Sequence, residues 1–171
     1  LQSPAVNLTG GQLTGDGTVL GPITNGATVA PGVPGGVLTS QGTYTVASGA
    51  THRMRIRGLS ATEYGSLSVA GNVNLNGALQ AQNLGYAVSA GDTFRVISFT
   101  GSRTGTFASV PDPADWSVVY SAGFVDLVAV RDLGAPVNVQ GNIRLQGWIA
   151  SPTNQPITIT LVQGGDVVET R

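Results

Sequence analysis

Gly65-Ser66-Leu67-Ser68-Val69-Ala70-Gly71-Asn72-Val73-Asn74-Leu75-Asn76-Gly77 contains two short stretches in which polar and apolar residues alternate, with glycines at their boundaries. Alternation at period two places Leu67 and Val69, then Val73 and Leu75, on one face of an extended chain. Gly71 and Asn76-Gly77 supply the corners. The same pattern of Gly followed by polar and apolar residues in alternation recurs upstream. It appears at Gly15-Asp16-Gly17-Thr18-Val19, Asn25-Gly26-Ala27-Thr28-Val29 and Gly42-Thr43-Tyr44-Thr45-Val46. The spacing drifts, so no strict period survives. Strand pieces this short, with small apolar residues on one face and Gly or Asn at each corner, suit the coils of a β-solenoid. A sandwich shows the same alternation; the shortness of the strands favours the solenoid.

Gly or Pro interrupts almost every window of ten residues, so no helix-length amphipathic segment exists. The chain reads as all-β. It has 171 residues with 41% hydrophobic but only 10% charged residues, which suits one domain or one domain with an appendage. Gly, Thr, Ser and Asn are abundant, whereas Cys and Lys are absent and all eight basic residues are Arg. A net charge of −1 without a basic stripe argues against nucleic-acid binding. The lack of Cys excludes disulfides, thiolate metal sites and a Cys nucleophile. No run approaches 18 apolar residues, so no helical membrane span is expected. The opening Leu1-Gln2-Ser3-Pro4 suggests removal of a leader or a fragment of a longer chain.

Texture divides the chain. Residues 1–85 read as solenoid coils. Residues 86–131 carry longer strands and the aromatic series Phe94, Phe99, Phe107, Trp116, Tyr120 and Phe124, expected to form a β cap over the last coil. Residues 132–136 form a linker. Residues 137–171 are too few for an independent core. They are expected to begin a second module or to donate a strand.

Several segments, taken in order, resemble a known family. They are Glu63 to Gly71, Val73-x-Leu75-x-Gly77-x-Leu79, Gly91 to Ile97, Gly105-Thr106-Phe107 and Trp116 to Tyr120. In that order they resemble the end of the β-solenoid region in bacterial autotransporter passengers and in surface proteins with autotransporter-associated strand repeats. Asn25-Gly26-Ala27-Thr28-Val29-Ala30-Pro31-Gly32 resembles the family's entry into the module. The resemblance covers about residues 8–130 and implies a surface or secreted scaffold whose module is non-catalytic. The chain departs from the family in lacking an outer-membrane barrel and a long repeat array. Val139-x-Gly141-x-Ile143-x-Leu145-x-Gly147-Trp148 resembles the first strands of an immunoglobulin- or prealbumin-like module.

The candidate chemistry is sparse. His52 is the only histidine and alternates with Met54 and Ile56, while Arg53, Arg55 and Arg57 take the opposite face. A metal site lacks further His or Cys ligands, so His52 reads as structural. The three arginines, about 6.6 to 7 Å apart along a strand, form a row for a surface or subunit contact. An acidic polysaccharide, phosphate groups or neighbouring carboxylates are the available partners. The nine acids are scattered; Asp112 and Asp115 lie between and beside Pro111 and Pro113, without the spacing of a calcium loop. Gly32 to Gly36 lacks the Lys of a phosphate loop. The Asn7-Leu8-Thr9 sequon reads as accidental in a bacterial protein. No catalytic residue, metal or cofactor is expected.

The expected function is that of a non-enzymatic extracellular structural protein, a cell-surface or fibre-forming subunit. A carbohydrate-binding or adhesive module is the alternative, and a polysaccharide-active enzyme the most distant reading. Self-association is expected through strand pairing or end-to-end stacking. The alternating strand Ile157 to Val162 supplies an intersubunit contact through Ile157, Ile159 and Leu161.

Overall fold

The structure is a computed structural model that describes residues 5–32 and 35–134, together with the strands Thr160–Gln163 and Asp166–Thr170. It is all-β, and no helix occurs among the described residues. The strands come in successive sets of three. The first set is β1 (Val6–Leu8), β2 (Gln12–Gly15) and β3 (Gly17–Val19); the second is β4 (Ile23–Asn25), β5 (Thr28–Pro31) and β6 (Gly36–Ser40). The third is β7 (Tyr44–Val46), β8 (Thr51–Ile56) and β9 (Gly65–Val69); the fourth is β10 (Val73–Leu75), β11 (Ala78–Asn83) and β12 (Thr93–Phe99). Next come β13 (Arg103–Gly105), β14 (Trp116–Ser121) and β15 (Phe124–Ala129).

Each strand through β13 pairs in parallel with the strand three places away. The first sheet runs β1-β4-β7-β10-β13 and the second β11-β8-β5-β2. The third runs β14-β15-β12-β9-β6-β3. The register keeps like faces together. Ile23, Tyr44 and Val73 stack inward in the first sheet, Val29, His52 and Leu79 in the second, and Leu38, Leu67 and Ile97 in the third. All nine are buried in one hydrophobic cluster apart from the polar His52, which joins them as a buried side chain. Outward positions form polar ladders. Asn7, Thr24, Thr45, Asn74 and Thr104 align on the first sheet, and Thr18, Thr39, Ser68 and Ser98 on the third. Within the first ladder Thr104 Oγ1 donates to Asn74 Oδ1 at 2.6 Å, and Asn74 Nδ2 donates to Thr45 Oγ1 at 3.2 Å. These bonds satisfy polar groups laterally and help hold the register.

Parallel pairing extends beyond residue 85. β12 still pairs in parallel with β9, and β13 with β10. The direction changes where β15 joins β12 and β14 joins β15, both antiparallel, with a bulge between Arg95 and Ile97. Here Phe94 is the centre of an aromatic cluster, with Tyr64, Tyr86 and Trp116 at centroid distances of 5.6, 6.3 and 5.9 Å. All three contacts are edge-on, the geometry the ring quadrupoles favour. Of the aromatic residues singled out in the sequence, Phe94, Phe99, Phe107 and Trp116 are buried.

The chain divides into two compact units, Leu1–Val137 and Asn138–Arg171. In the second, β16 (Thr160–Gln163) and β17 (Asp166–Thr170) pair antiparallel. The resemblance of residues 139–148 to an immunoglobulin- or prealbumin-like module falls outside the described residues. Far-UV circular dichroism is expected to be β-type. A helix content near the one-third of an average globular domain is incompatible with these pairings.

Candidate functional site

The strand β8 brings together the residues of chemical interest. Its burial alternates without a break: His52, Met54 and Ile56 are buried, Arg53 and Arg55 are half-exposed, and Arg57 just beyond the strand is exposed. The alternation follows from the pleat, which sends successive side chains to opposite faces. Tandem pairing of β8 with β5 and β11 then fixes what each side meets.

On the outer face Gln80 of β11 lies opposite Arg53, and Gln82 opposite Arg55. Arg53 Nε donates to Gln80 Oε1 at 3.3 Å and Nη1 to Gln12 Oε1 at 3.4 Å. Gln12 belongs to β2, two strands away on the other side, so the guanidinium lies across the small residues of β5. Its two partners are neutral amides. An open groove of about 690 Å3 adjoins this face, bounded by Arg53, Gln80 and Gln82 on the sheet and by Ser109, Asp112 and Asp115 on the loop before β14.

The acids of that loop have local tasks. Asp112 Oδ1 accepts from the Ala114 N–H at 2.9 Å, and its carbonyl accepts from the N–H groups of Asp115 and Trp116. Asp115 accepts from Arg131 Nε at 2.7 Å. Elsewhere Asp126 forms a two-bond ion pair with Arg95, at 2.7 and 3.2 Å, while the Arg95 guanidinium covers the Phe124 ring at 4.1 Å. Asp126 also holds the Arg95 guanidinium's pKa above its ordinary value by that hydrogen bond. Asp92 accepts from the Tyr86 hydroxyl at 3.0 Å and from the Ser89 N–H at 2.9 Å. Burial, then the bond to Asp92 and its charge, raise the Tyr86 pKa. No group of three or more His, Asp or Glu that could hold a metal occurs among the described residues.

On the inner face His52 enters a buried polar cluster. Its Nδ1 lies 2.9 Å from the Tyr44 hydroxyl, which also receives a long bond of 3.4 Å from Asn25 Nδ2. Asn25 Nδ2 donates to the Thr51 carbonyl at 2.9 Å, and Asn25 Oδ1 accepts from the Ala27 N–H at 3.0 Å. All three side chains are fully buried, and His52 Nε2 has no hydrogen-bond partner. Desolvation drives the His52 pKa down to about 3, and burial raises that of Tyr44. The imidazole is therefore neutral and internal, which suits packing and no surface chemistry.

Sequence reading singled out the arginine row and His52. It did not identify Gln12, Gln80 and Gln82, or the link from His52 to Tyr44 and Asn25. Gln80 is visible only as an outward position of an alternating strand, and nothing in the linear sequence pairs it with Arg53. Ile157 and Ile159 lie outside the described residues, and Leu161 falls in β16.

Comparison with protein-family models, curated proteins and solved structures gives no match. The resemblance of residues 8–130 to autotransporter-type modules accordingly stands on the quoted sequence segments alone.

Proposed function

We propose that this chain is a β-solenoid closed by an antiparallel β cap, acting as a non-enzymatic structural protein of an extracellular surface. The observation that carries the reading is the succession of strands paired in parallel at every third place, with one buried apolar ladder per sheet. Such a stack buries its core between coils and spreads stability along an axis, the physics of a spacer. The β14–β15 hairpin covers β12 in the opposite strand direction, which suits the termination of a stack. Absence of Cys and Lys and a sparsely charged, hydroxyl-rich surface support the extracellular setting.

Subunits self-associate in this reading through strand pairing or end-to-end contact. Sedimentation across a wide range of protein concentration, with negative-stain microscopy of the same samples, tests it. Elongated particles that assemble with concentration are expected. A compact monomer at every concentration sinks the assembling-subunit reading, and turnover of a polysaccharide panel sinks the non-enzymatic one.

A further inference from the structure

We propose that the outer face of the second sheet, centred on Arg53 and Arg55, binds an acidic polysaccharide, a sugar chain carrying carboxylates at intervals between hydroxyls. This site goes beyond the scaffold reading and does not depend on it.

The first argument is charge. Among the described residues Arg95 is paired with Asp126 and Arg131 with Asp115. Arg103 lies over the Tyr120 ring at 4.7 Å and donates to the Gly105 carbonyl. Arg53, Arg55 and Arg57 alone share one row without a carboxylate partner. Arg53 and Arg55 lie about 6.6 to 7 Å apart on one face of β8, and Arg57 follows at the bend beyond the strand, so the face presents like charges to one elongated ligand.

The second argument is preorganisation. Gln80 and Gln12 hold the Arg53 guanidinium from both sides through their carbonyl oxygens and leave its charge uncompensated. Nη2 remains to bond a carboxylate, and the amide NH2 groups of both glutamines remain as donors. Gln82 takes the same place beside Arg55. Guanidiniums thus run along β8 and amides along β11, so a carboxylate held by Arg53 or Arg55 has an amide donor beside it. The adjoining groove carries Arg53, Gln80 and Gln82 on one side and Asp112 and Asp115 on the other, so the carboxylates of a bound chain face the arginine side.

The third argument separates ligand classes. The outward residues of β8 and β11 are Thr51, Arg53, Arg55, Ala78, Gln80 and Gln82, with no aromatic among them. The strand face therefore offers no platform for base stacking, and Trp116, which lines the groove, is buried. A nucleic acid also brings a phosphate about every 3.4 Å per strand, about twice as dense as charges roughly 6.6 to 7 Å apart along β8. A neutral glycan leaves the guanidiniums without a counter-charge.

The test measures binding of the full chain to polygalacturonate by calorimetry, with dextran, poly-glutamate and single-stranded DNA as comparison ligands. Polygalacturonate is expected to bind, more weakly as salt rises from about 50 to about 200 mM. Arg53→Gln with Arg55→Gln is expected to weaken it by about tenfold or more, two charge-assisted contacts being lost. Should that variant fail to keep its β-type spectrum, Gln80→Ala with Gln82→Ala is measured instead, with a loss of several-fold expected. No binding of polygalacturonate overturns the proposal, as does binding that the folded variant leaves unchanged. Equal binding of poly-glutamate reduces the face to charge alone, and preference for dextran or DNA assigns it to another class; either result also overturns it.

Discussion

Acidification from pH 7 to pH 5 is expected to remove about 2 kcal/mol of folding stability through His52 alone. The imidazole is fully buried, bonded at Nδ1 to Tyr44, and unpartnered at Nε2. A charge there would be held among apolar side chains, with the Phe107 ring 6.1 Å from the imidazole centroid. Desolvation therefore depresses the folded pKa to about 3 from 6.5. Between those values the unfolded chain binds a proton that the folded chain refuses. Stability is fully present above pH 6.5 and falls as pH drops towards 3, where the accumulated loss exceeds about 4 kcal/mol. The window from pH 7 to 5 isolates His52, because ordinary carboxylates titrate mainly below it. Urea unfolding at half-unit steps of pH measures the slope. A flat profile across that window rules out a neutral, buried histidine. His52→Leu is expected to flatten the profile. It is also expected to cost about 1 to 3 kcal/mol at pH 7, because the Tyr44 hydroxyl keeps only the long bond from Asn25 and loses its contact with His52. Adding Tyr44→Phe removes that under-bonded hydroxyl, so the double variant should be more stable than the sum of the single losses predicts.

Gly65→Ala is expected to be the more damaging of two chemically identical changes, costing at least about 3 kcal/mol, whereas Gly10→Ala stays within about 0.5 kcal/mol of the parent. A Cβ on Gly65 would sit 1.9 Å from the Pro31 carbonyl oxygen and 2.9 Å from its carbon. Those atoms belong to the backbone of the neighbouring set of strands, so no side-chain rotation relieves the clash. Gly65 begins β9, whose register with β6 runs from Gly36↔Gly65 to Ser40↔Val69, and any retreat disturbs that whole ladder. Gly77 repeats the situation at another corner, with the Ala50 and Ala47 carbonyl oxygens 2.2 and 2.7 Å from its Cβ position. Gly10 has nothing within 4 Å of its Cβ position and no left-handed backbone angle. Thermal melts report the contrast, with a fall of roughly 10 °C expected for Gly65→Ala. Equal melting temperatures for the two variants contradict the close approach at Gly65.

The corner glycines also mark where sequence reading stops. Gly65 and Gly10 both read as turn punctuation in the linear chain. Only the strand stacked against Gly65 makes its missing Cβ indispensable. Residues on one strand were readable because the pleat is local. The alternation of His52, Met54 and Ile56 against Arg53, Arg55 and Arg57 sets two faces, and the denser apolar set goes inward. Absence of helix among the described residues was likewise readable, since Gly and Pro interrupt almost every window of ten residues.

What the sequence by itself determined was the all-β class, the short strands and the side of β8 on which each residue lies. The tertiary structure alone decided which strands meet. Pairing at every third strand brings Gln12 of β2 and Gln80 of β11 to Arg53 from opposite directions, and closes Asn25, Tyr44 and His52 into one buried cluster. These contacts are invisible in the linear chain for a physical reason. Alternation is set by the backbone geometry of two successive residues, whereas a strand's neighbour is set by how each corner turns and by which apolar faces pack together.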